Sequence, residues 1–152
     1  LYVAEPKSLD ELPSKAQATI DNVTTKTQIA IGTYEVNQAQ FDDGLKAFRA
    51  DNFVAARDSF EKADVEKRDA KTQFYIAYSF YRQGFGKFYS DDALFKRGLE
   101  QINRVIALDK NFKSDDADLR LRTAAELKNE FEEGLKITAS DFNPFKVLRE
   151  RK

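Results

Sequence analysis

Three pairs of adjacent aspartates are the residues of this chain with the clearest capacity for acid–base chemistry. They are Asp42-Asp43, Asp91-Asp92 and Asp115-Asp116. Two carboxylates in one site are how glycosidases and aspartic proteases work. Each pair here stands at a predicted helix start or on a predicted solvent face, where acids interact favourably with the helix dipole. We therefore interpret the pairs as capping or surface residues and predict no catalytic residue among them.

The chain contains no histidine and no cysteine. Without imidazole it lacks the usual general base near neutral pH and the commonest transition-metal ligand. Without thiols it lacks disulfides, thiolate nucleophiles and cysteine-bound metals, which suits either the cytosol or an exported bacterial protein. These absences exclude most hydrolases and metalloenzymes, so we predict a non-enzymatic protein with no cofactor and no metal.

Two short motifs begin like ligand-binding loops and then lack required residues. Gly84-x-Gly86-Lys87 could present backbone N–H groups to a phosphate, but it has no further glycine, no hydroxyl residue after the lysine and no preceding strand. We read it as a helix stop in which glycine supplies a left-handed cap. Residues 109–114 start like a calcium loop and fail at the third ligand and at the required glycine.

Charge gives no sign of nucleic-acid or membrane binding. Lysine plus arginine total 25 and aspartate plus glutamate total 26, so the net charge is −1. Acids and bases are interspersed, as on solvated helix faces. No apolar run approaches the roughly 18 residues that span a bilayer, so we expect a soluble domain. Leu1 in place of an initial methionine suggests removal of an upstream signal or anchor, and both the cytoplasm and the periplasm remain open.

Apolar residues recur with helical spacing in two units. Phe41-x-x-Gly44-x-x-x-Phe48 returns 33 residues later (74 − 41) as Phe74-x-x-Ala77-x-x-x-Tyr81. A second segment follows each copy, with a small residue at its predicted contact point: Ala56-x-x-x-Phe60-x-x-Ala63 and Gly98-x-x-x-Ile102-x-x-Val105. A period in the low thirties indicates stacked helical units that cannot bury their apolar faces alone.

The predicted organisation has three parts. They are an irregular lead-in over 1–13, a helical domain over 14–136 and a tail over 137–152. The domain opens with a long N-terminal helix, which could break near Gly32. It continues with repeat units at about 37–70 and 71–112 and a capping helix at about 115–135, whose N-cap we place at 114–116. The second unit carries an insert from Gly84 to Asp92, and the tail could dock through Phe142, Phe145 and Leu148.

This pattern resembles the tetratricopeptide repeat family, over about 75 residues. The matching positions are Gly44, Ala56, Phe60 and Ala63 in the first unit, Ala77, Phe80, Gly98, Ile102 and Val105 in the second, and the closing stretch Ala107–Asn111. Gln40 and Gln73 stand where an aromatic residue is typical, and Arg68 and Lys110 where prolines are. The resemblance implies an all-α fold of antiparallel helix-turn-helix pairs in a short right-handed array, closed by the capping helix.

The resemblance also implies a partner-binding groove lined by the first helix of each unit. Carried over to this chain, the lining is Gln38, Phe41, Leu45, Phe48, Arg49, Lys71, Phe74, Tyr78, Tyr81 and Arg82, with Lys128 of the last helix as a third cation. The alternative interpretation of the aromatic residues is core packing. Because guanidinium binds carboxylate bidentately, the expected partner is an acidic peptide or a free C-terminal carboxylate.

The resulting functional prediction is a protein-interaction module or scaffold that binds a protein or peptide. The alternative is a structural domain that self-associates as a homo-oligomer through its long N-terminal helix, or that a missing upstream segment tethers to a membrane.

Overall fold

The described part of the chain consists of helices joined by short loops. The structure is a computed structural model that describes residues 34–137 and 149–152. Its helices are α1 (Gln38–Arg49), α2 (Phe53–Ala63), α3 (Ala70–Gly84), α4 (Asp92–Leu108) and α5 (Ala124–Leu135). Within those ranges the only β pairing is an isolated bridge between Lys113 and Thr123. The all-α prediction is confirmed for these residues.

Helices α1 and α2 are antiparallel neighbours. Phe48, late in α1, packs on Phe53 at the start of α2, and Phe41, early in α1, packs on Phe60 late in α2. Their ring centroids are 5.8 and 5.4 Å apart. Gly44 lets the helices approach, because a Cβ there would lie 2.6 Å from the Phe60 ring. The aromatic and small residues of the first predicted unit therefore form one helix contact.

Helices α4 and α5 pack in the same way. A Cβ on Gly98 would lie 2.2 Å from the Phe131 ring, and a Cβ on Gly134 would lie 2.2 Å from the Phe95 ring. The two rings meet edge to face at 5.2 Å. Each glycine thus receives the aromatic ring of the opposite helix, and the predicted contact at Gly98 is found.

Helix α3 lies at the centre, and residues 72–81 are all buried. Its Tyr75 ring packs on Phe48 of α1 and stacks on Phe60 of α2, while Tyr81 packs on Phe95 of α4 and on a ring of α5. The aromatic run of α3 can be buried on all sides because four other helices surround it.

Gln73 belongs to a chain of hydrogen-bonded buried side chains, at a position where the tetratricopeptide repeat family typically has an aromatic residue. The carboxylate of Asp64 is buried and accepts hydrogen bonds from the Tyr34 hydroxyl, from the backbone N–H groups of the 68–69 turn and from Gln73 Nε2. Gln73 Oε1 in turn accepts from Gln101 Nε2 at 2.6 Å. Buried polar groups need partners, so Gln73 joins two other polar side chains where an aromatic ring could not.

Side-chain caps begin each helix of the described part. The N-caps are Asn37, Asn52, Asp69, Asp91 and Thr123, and each accepts a hydrogen bond from a backbone N–H in the first turn. The capping role predicted for Asp91 is confirmed. Asn52, not Asp51, caps α2, since Asp51 adopts a left-handed turn conformation with φ 60°.

The last helix begins at Ala124, and the predicted start at about 115 is wrong. Thr123 and Glu126 form a reciprocal capping box that fixes the helix start. Upstream, residues 117–118 form a turn, and the buried Leu119 and Leu121 flank the exposed Arg120, which is not a helical spacing. We call residues 113–123 the acidic loop, and the bridge from residue 113 to residue 123 closes it.

The insert is a loop of residues 85–91, as predicted, but the expected left-handed glycine cap is wrong. Helix α3 ends at Gly84, and Phe85 follows in an extended conformation, with φ −65° and ψ 132°. A Cβ on Gly84 would lie 3.0 Å from both Leu94 and Phe95. Gly84 therefore serves close packing against α4 instead of turning the chain.

Several predictions lie outside the described residues. They concern the lead-in, the long N-terminal helix with its possible break at Gly32, and docking through Phe142, Phe145 and Leu148. In the ranges that are described, no helix is both long enough and apolar enough to cross a bilayer.

Gly98→Ala tests the interlock of α4 and α5. The added methyl group collides with the Phe131 ring, so we expect the free energy of unfolding to fall by about 1–3 kcal/mol. This outcome opposes the usual gain of about 1 kcal/mol for glycine to alanine within a helix. Urea denaturation followed by circular dichroism measures the change. In a Phe131→Leu background the penalty should shrink. A stabilised Gly98→Ala protein would contradict the packing.

Asp64→Ala tests the buried polar chain. It leaves several buried donors without an acceptor, so we expect a loss of about 3 kcal/mol or more in the free energy of unfolding. Asp58→Ala is the matched control, because its ion pair with Lys62 is exposed and should contribute less than about 0.5 kcal/mol. Equal effects of the two substitutions in urea denaturation would rule out the proposed role of Asp64.

Candidate functional site

Three tyrosines one helical turn apart give α3 a line of hydroxyl groups. Tyr75, Tyr78 and Tyr81, here called the tyrosine row, have side chains at most 3% exposed. Their rings pack in the core, and each hydroxyl reaches a polar group on another segment. A buried tyrosine hydroxyl needs such a partner, so any segment that covers this face of α3 must offer polar groups to the tyrosine row.

The first hydroxyl of the row binds the acidic loop. Tyr75 donates to Asp116 Oδ2, and the same oxygen accepts from Arg49 Nη2 at 3.1 Å. Arg49 Nη1 donates to Asp118 Oδ2 at 2.8 Å, and the Asp118 backbone N–H donates to Asp116 Oδ1. The acidic loop is thereby joined to both α1 and α3.

These contacts change the pKa values of the groups involved. Burial opposes ionisation of Asp116, but hydrogen bonds from Tyr75, from the Asp118 N–H and from Arg49 outweigh it and lower the pKa of Asp116. Burial, followed by the hydrogen bond to Asp116, raises the pKa of Tyr75. The Asp116 carboxylate therefore stays ionised and the Tyr75 phenol stays neutral at neutral pH.

The other two hydroxyls of the row hold the backbone of Lys152. Tyr78 donates to the Lys152 carbonyl oxygen at 2.8 Å, and Arg82 Nη2 donates to the same oxygen at 3.2 Å. The Lys152 backbone N–H donates to the Tyr81 hydroxyl at 3.0 Å. Both backbone polar groups of Lys152 are thus bound by side chains of α3.

Each of these two hydroxyls also has a second partner. Tyr78 accepts from the backbone N–H of Leu121 at 3.3 Å, and Tyr81 donates to Glu130 Oε1 at 3.4 Å. Burial raises the pKa of Tyr81 to about 12, so this phenol remains a donor throughout the neutral range. These second contacts help to orient the hydroxyls toward Lys152.

Glu130 of α5 forms ion pairs with two cationic side chains of residues 149–152, here called the tail segment. Lys152 Nζ lies 2.8 Å from Glu130 Oε2, and Arg149 Nη2 lies 3.3 Å from Glu130 Oε1. The Glu130 side chain is only 13% exposed. Arg151 pairs with Asp51 in the α1–α2 turn at 3.2 Å. We call Tyr78, Tyr81, Arg82 and Glu130 together the tail-binding surface.

The 85–91 loop forms one edge of this surface. The Arg149 backbone N–H donates to the Lys87 carbonyl at 3.2 Å, and the Arg149 guanidinium lies over the Phe85 ring at 5.5 Å. Phe85 also packs on Tyr81. Phe88 and Tyr89 are 45% and 49% exposed. Phe85 of the 85–91 loop thus contacts both the tail segment and the tyrosine row.

The residues predicted to line a groove fall into three sets. Those in contact with the tail segment are Tyr78, Tyr81 and Arg82. Those whose rings or side chains belong to the core or pack against it are Phe41, Leu45, Phe48 and Phe74. The remaining four are engaged elsewhere: Gln38 with Asp42, Arg49 with the acidic loop, Lys71 with the Phe41 ring and Lys128 with Glu132.

Sequence reasoning missed Tyr75, Asp116, Asp118 and Glu130 as members of this region. The repeated tyrosine at every third position of α3 is a local signal that could have revealed the row. The acidic partners carry no such signal, because they come from segments far along the chain. Asp115-Asp116 was interpreted as a capping pair, whereas Asp116 binds Tyr75 and Arg49.

The region offers hydrogen-bonding and charged side chains. Among residues 34–137 and 149–152, no three His, Cys, Asp or Glu side chains are grouped so that they could hold a metal ion. Comparisons of the chain with protein-family models, with curated proteins and with solved structures each found no match.

Asp116→Asn tests the electrostatics of the acidic loop. The pKa of Asp116 is lower in the folded than in the unfolded chain, so its contribution is complete above the unfolded pKa of about 3.9 and is lost as the pH falls through the folded value. We expect Asp116→Asn to lose about 1–3 kcal/mol at neutral pH. The difference in the free energy of unfolding between wild type and Asp116→Asn should disappear in acid, because Asp116 is then protonated in the wild type.

The matched control is Asp118→Asn, whose side chain is 72% exposed and should contribute little. Urea denaturation at several pH values measures both variants. A gap between wild type and Asp116→Asn that stays constant down to strongly acidic pH would contradict the assignment.

Proposed function

We propose that this domain is a non-enzymatic protein-interaction module that binds an extended peptide segment on the tail-binding surface. The observation that carries the proposal is that both backbone polar groups of one residue are bound, the Lys152 carbonyl oxygen by Tyr78 and Arg82 and the Lys152 N–H by Tyr81. Main-chain hydrogen bonds of this kind give affinity for an extended chain largely independent of its side chains.

The donors of the surface suit a backbone carbonyl or a carboxylate from a partner. Arg82 is held in place by the rings of Phe48 and Tyr78, each 4.9 Å from its guanidinium carbon. With Tyr78 it directs two donors at one oxygen. A free C-terminal carboxylate would accept from the same two donors with the added gain of a charge-assisted bond.

Arg49 is a weaker candidate for contact with an acidic partner. Its guanidinium already binds Asp116 and Asp118, so an incoming carboxylate would have to displace them. The proposal therefore assigns the contact with a partner's oxygen to Arg82 and not to both arginines. Arg49 instead fastens the acidic loop beside the surface.

A repeat-like architecture is part of the proposal. Consecutive helices are antiparallel where rings or glycines define the contact, as for α1 with α2 and α4 with α5. The first helices of the two units, α1 and α3, meet through Phe48 and Tyr75, and α3 meets α5 through Tyr81 and Phe131. Stacked helix pairs with a shared inner layer, here α1, α3 and α5, fit a short tetratricopeptide-like array with α5 as its cap.

Selection from a displayed random-peptide library tests the proposal with the full chain. Peptides recovered on wild type should bind the Tyr81→Phe/Arg82→Gln variant at least about tenfold more weakly, since each lost hydrogen bond contributes on the order of 1 kcal/mol or more. Both changes keep the bulk of the buried part of the side chain. Far-ultraviolet circular dichroism checks that the helices are unchanged.

Lys62→Gln is the matched control, because the Lys62 side chain is 60% exposed and forms its ion pair with Asp58 of the same helix, away from the tail-binding surface. It should bind the recovered peptides like wild type. Equal binding of the recovered peptides by wild type and by the double variant would remove the tail-binding surface from consideration.

A further inference from the structure

The contacts of the tail segment indicate which peptides the surface prefers. Resting on the proposed function, we propose that the tail-binding surface selects basic segments, because Glu130 forms an ion pair with a lysine or arginine of the bound segment. Residues 149–152 occupy the surface until a basic segment of a partner displaces them. The occupant proposed is thus a peptide with cations in the positions of Arg149 and Lys152.

Glu130 is the group that imposes this preference. Its carboxylate is mostly buried, it accepts from the Tyr81 hydroxyl, and it faces the ammonium of Lys152 and the guanidinium of Arg149. A buried carboxylate loses hydration and needs cationic or hydrogen-bonding partners to compensate. A segment with neutral side chains at these two positions would leave Glu130 without its cations.

The other charges of the tail segment contribute less to selection. Arg151 faces Asp51, whose side chain is 54% exposed, and Glu150 faces Arg120 at 3.5 Å with both side chains more than half exposed. Exposed ion pairs are screened by water and salt and contribute little. Discrimination between basic and neutral peptides should therefore depend on Glu130 and not on these pairs.

The tail segment is an imperfect occupant. Arg82 Nε and Arg149 Nη1 are buried without a hydrogen-bond partner in the part of the chain that is described. An unpaired buried donor costs free energy that a better-matched ligand could recover. A partner segment that supplies an acceptor to Arg82 Nε could therefore bind the same surface more favourably than residues 149–152.

Attachment to the domain compensates for this imperfect fit. A tethered segment competes with an effective concentration that is about millimolar for short flexible connections. A free peptide of the same sequence should consequently bind the wild-type chain weakly. Releasing the tail segment without altering the surface should strengthen binding, because the peptide then competes with nothing.

Fluorescence anisotropy with defined peptides tests the proposal on the full chain. The probe is a labelled peptide with the sequence of residues 146–152 (KVLRERK), and its partner is the same peptide with serine in place of Arg149 and Lys152. The chain variant Arg149→Glu/Lys152→Glu releases the tail segment by repulsion from Glu130. We expect this variant to bind the basic peptide at least about tenfold more tightly than wild type does.

Glu130→Gln, added to the released variant, keeps the size of the side chain and removes its charge, so it should weaken binding of the basic peptide to the level of the serine peptide. Glu132→Lys is the matched control on the same helix, because the Glu132 side chain is 46% exposed and pairs only loosely with Lys128 at 4.0 Å. It should leave binding unchanged.

The outcomes separate this inference from the proposed function. Equal binding of the basic and the serine peptides to the released variant would overturn the selection of basic segments and leave a peptide-binding surface intact. Binding of neither peptide, together with an empty library selection, would overturn both. Tighter binding of the basic peptide, lost with Glu130→Gln and kept with Glu132→Lys, is the result the proposal predicts.

Discussion

Three buried tyrosine hydroxyls on α3 need hydrogen-bond partners, and this requirement determines what covers the central helix. The rings pack in the hydrophobic core, but each hydroxyl would lose its hydrogen bonds to water if an apolar surface covered it. Tyr75 is satisfied by Asp116 of the acidic loop, Tyr78 by Leu121 and Lys152, and Tyr81 by Glu130 and Lys152. The acidic loop, α5 and the tail segment are thus held to α3 by one repeating feature of its sequence.

The helices were predictable because their signals are local. Apolar residues at helical spacing indicated helices, and the small residues at 44 and 98 lie at real contacts with Phe60 and Phe131. The acidic loop was not predictable in the same way, because Leu119 and Leu121 lie in a stretch whose composition also suits a helix. Its non-helical form depends on a capping box downstream and on Asp116 binding Arg49 and Tyr75 from distant segments.

The candidate site was predictable in part for the same reason. Repeat register placed Tyr78, Tyr81 and Arg82 on one face, and these residues do contact a peptide segment. The identity of that segment and the role of Glu130 depend on contacts between residues dozens of positions apart, for which a single sequence carries no signal. The core interpretation holds for the rings of Tyr78 and Tyr81, whose hydroxyls contact the tail segment, and a groove for a partner stays a prediction.

Nuclear Overhauser effects in the full chain test the central claim, that the tyrosine row holds the tail segment, most directly. The account predicts contacts from the Lys152 backbone protons to the ring protons of Tyr78 and Tyr81, with an intensity that does not depend on protein concentration. Random-coil chemical shifts for Lys152 and no contact with either ring would contradict it.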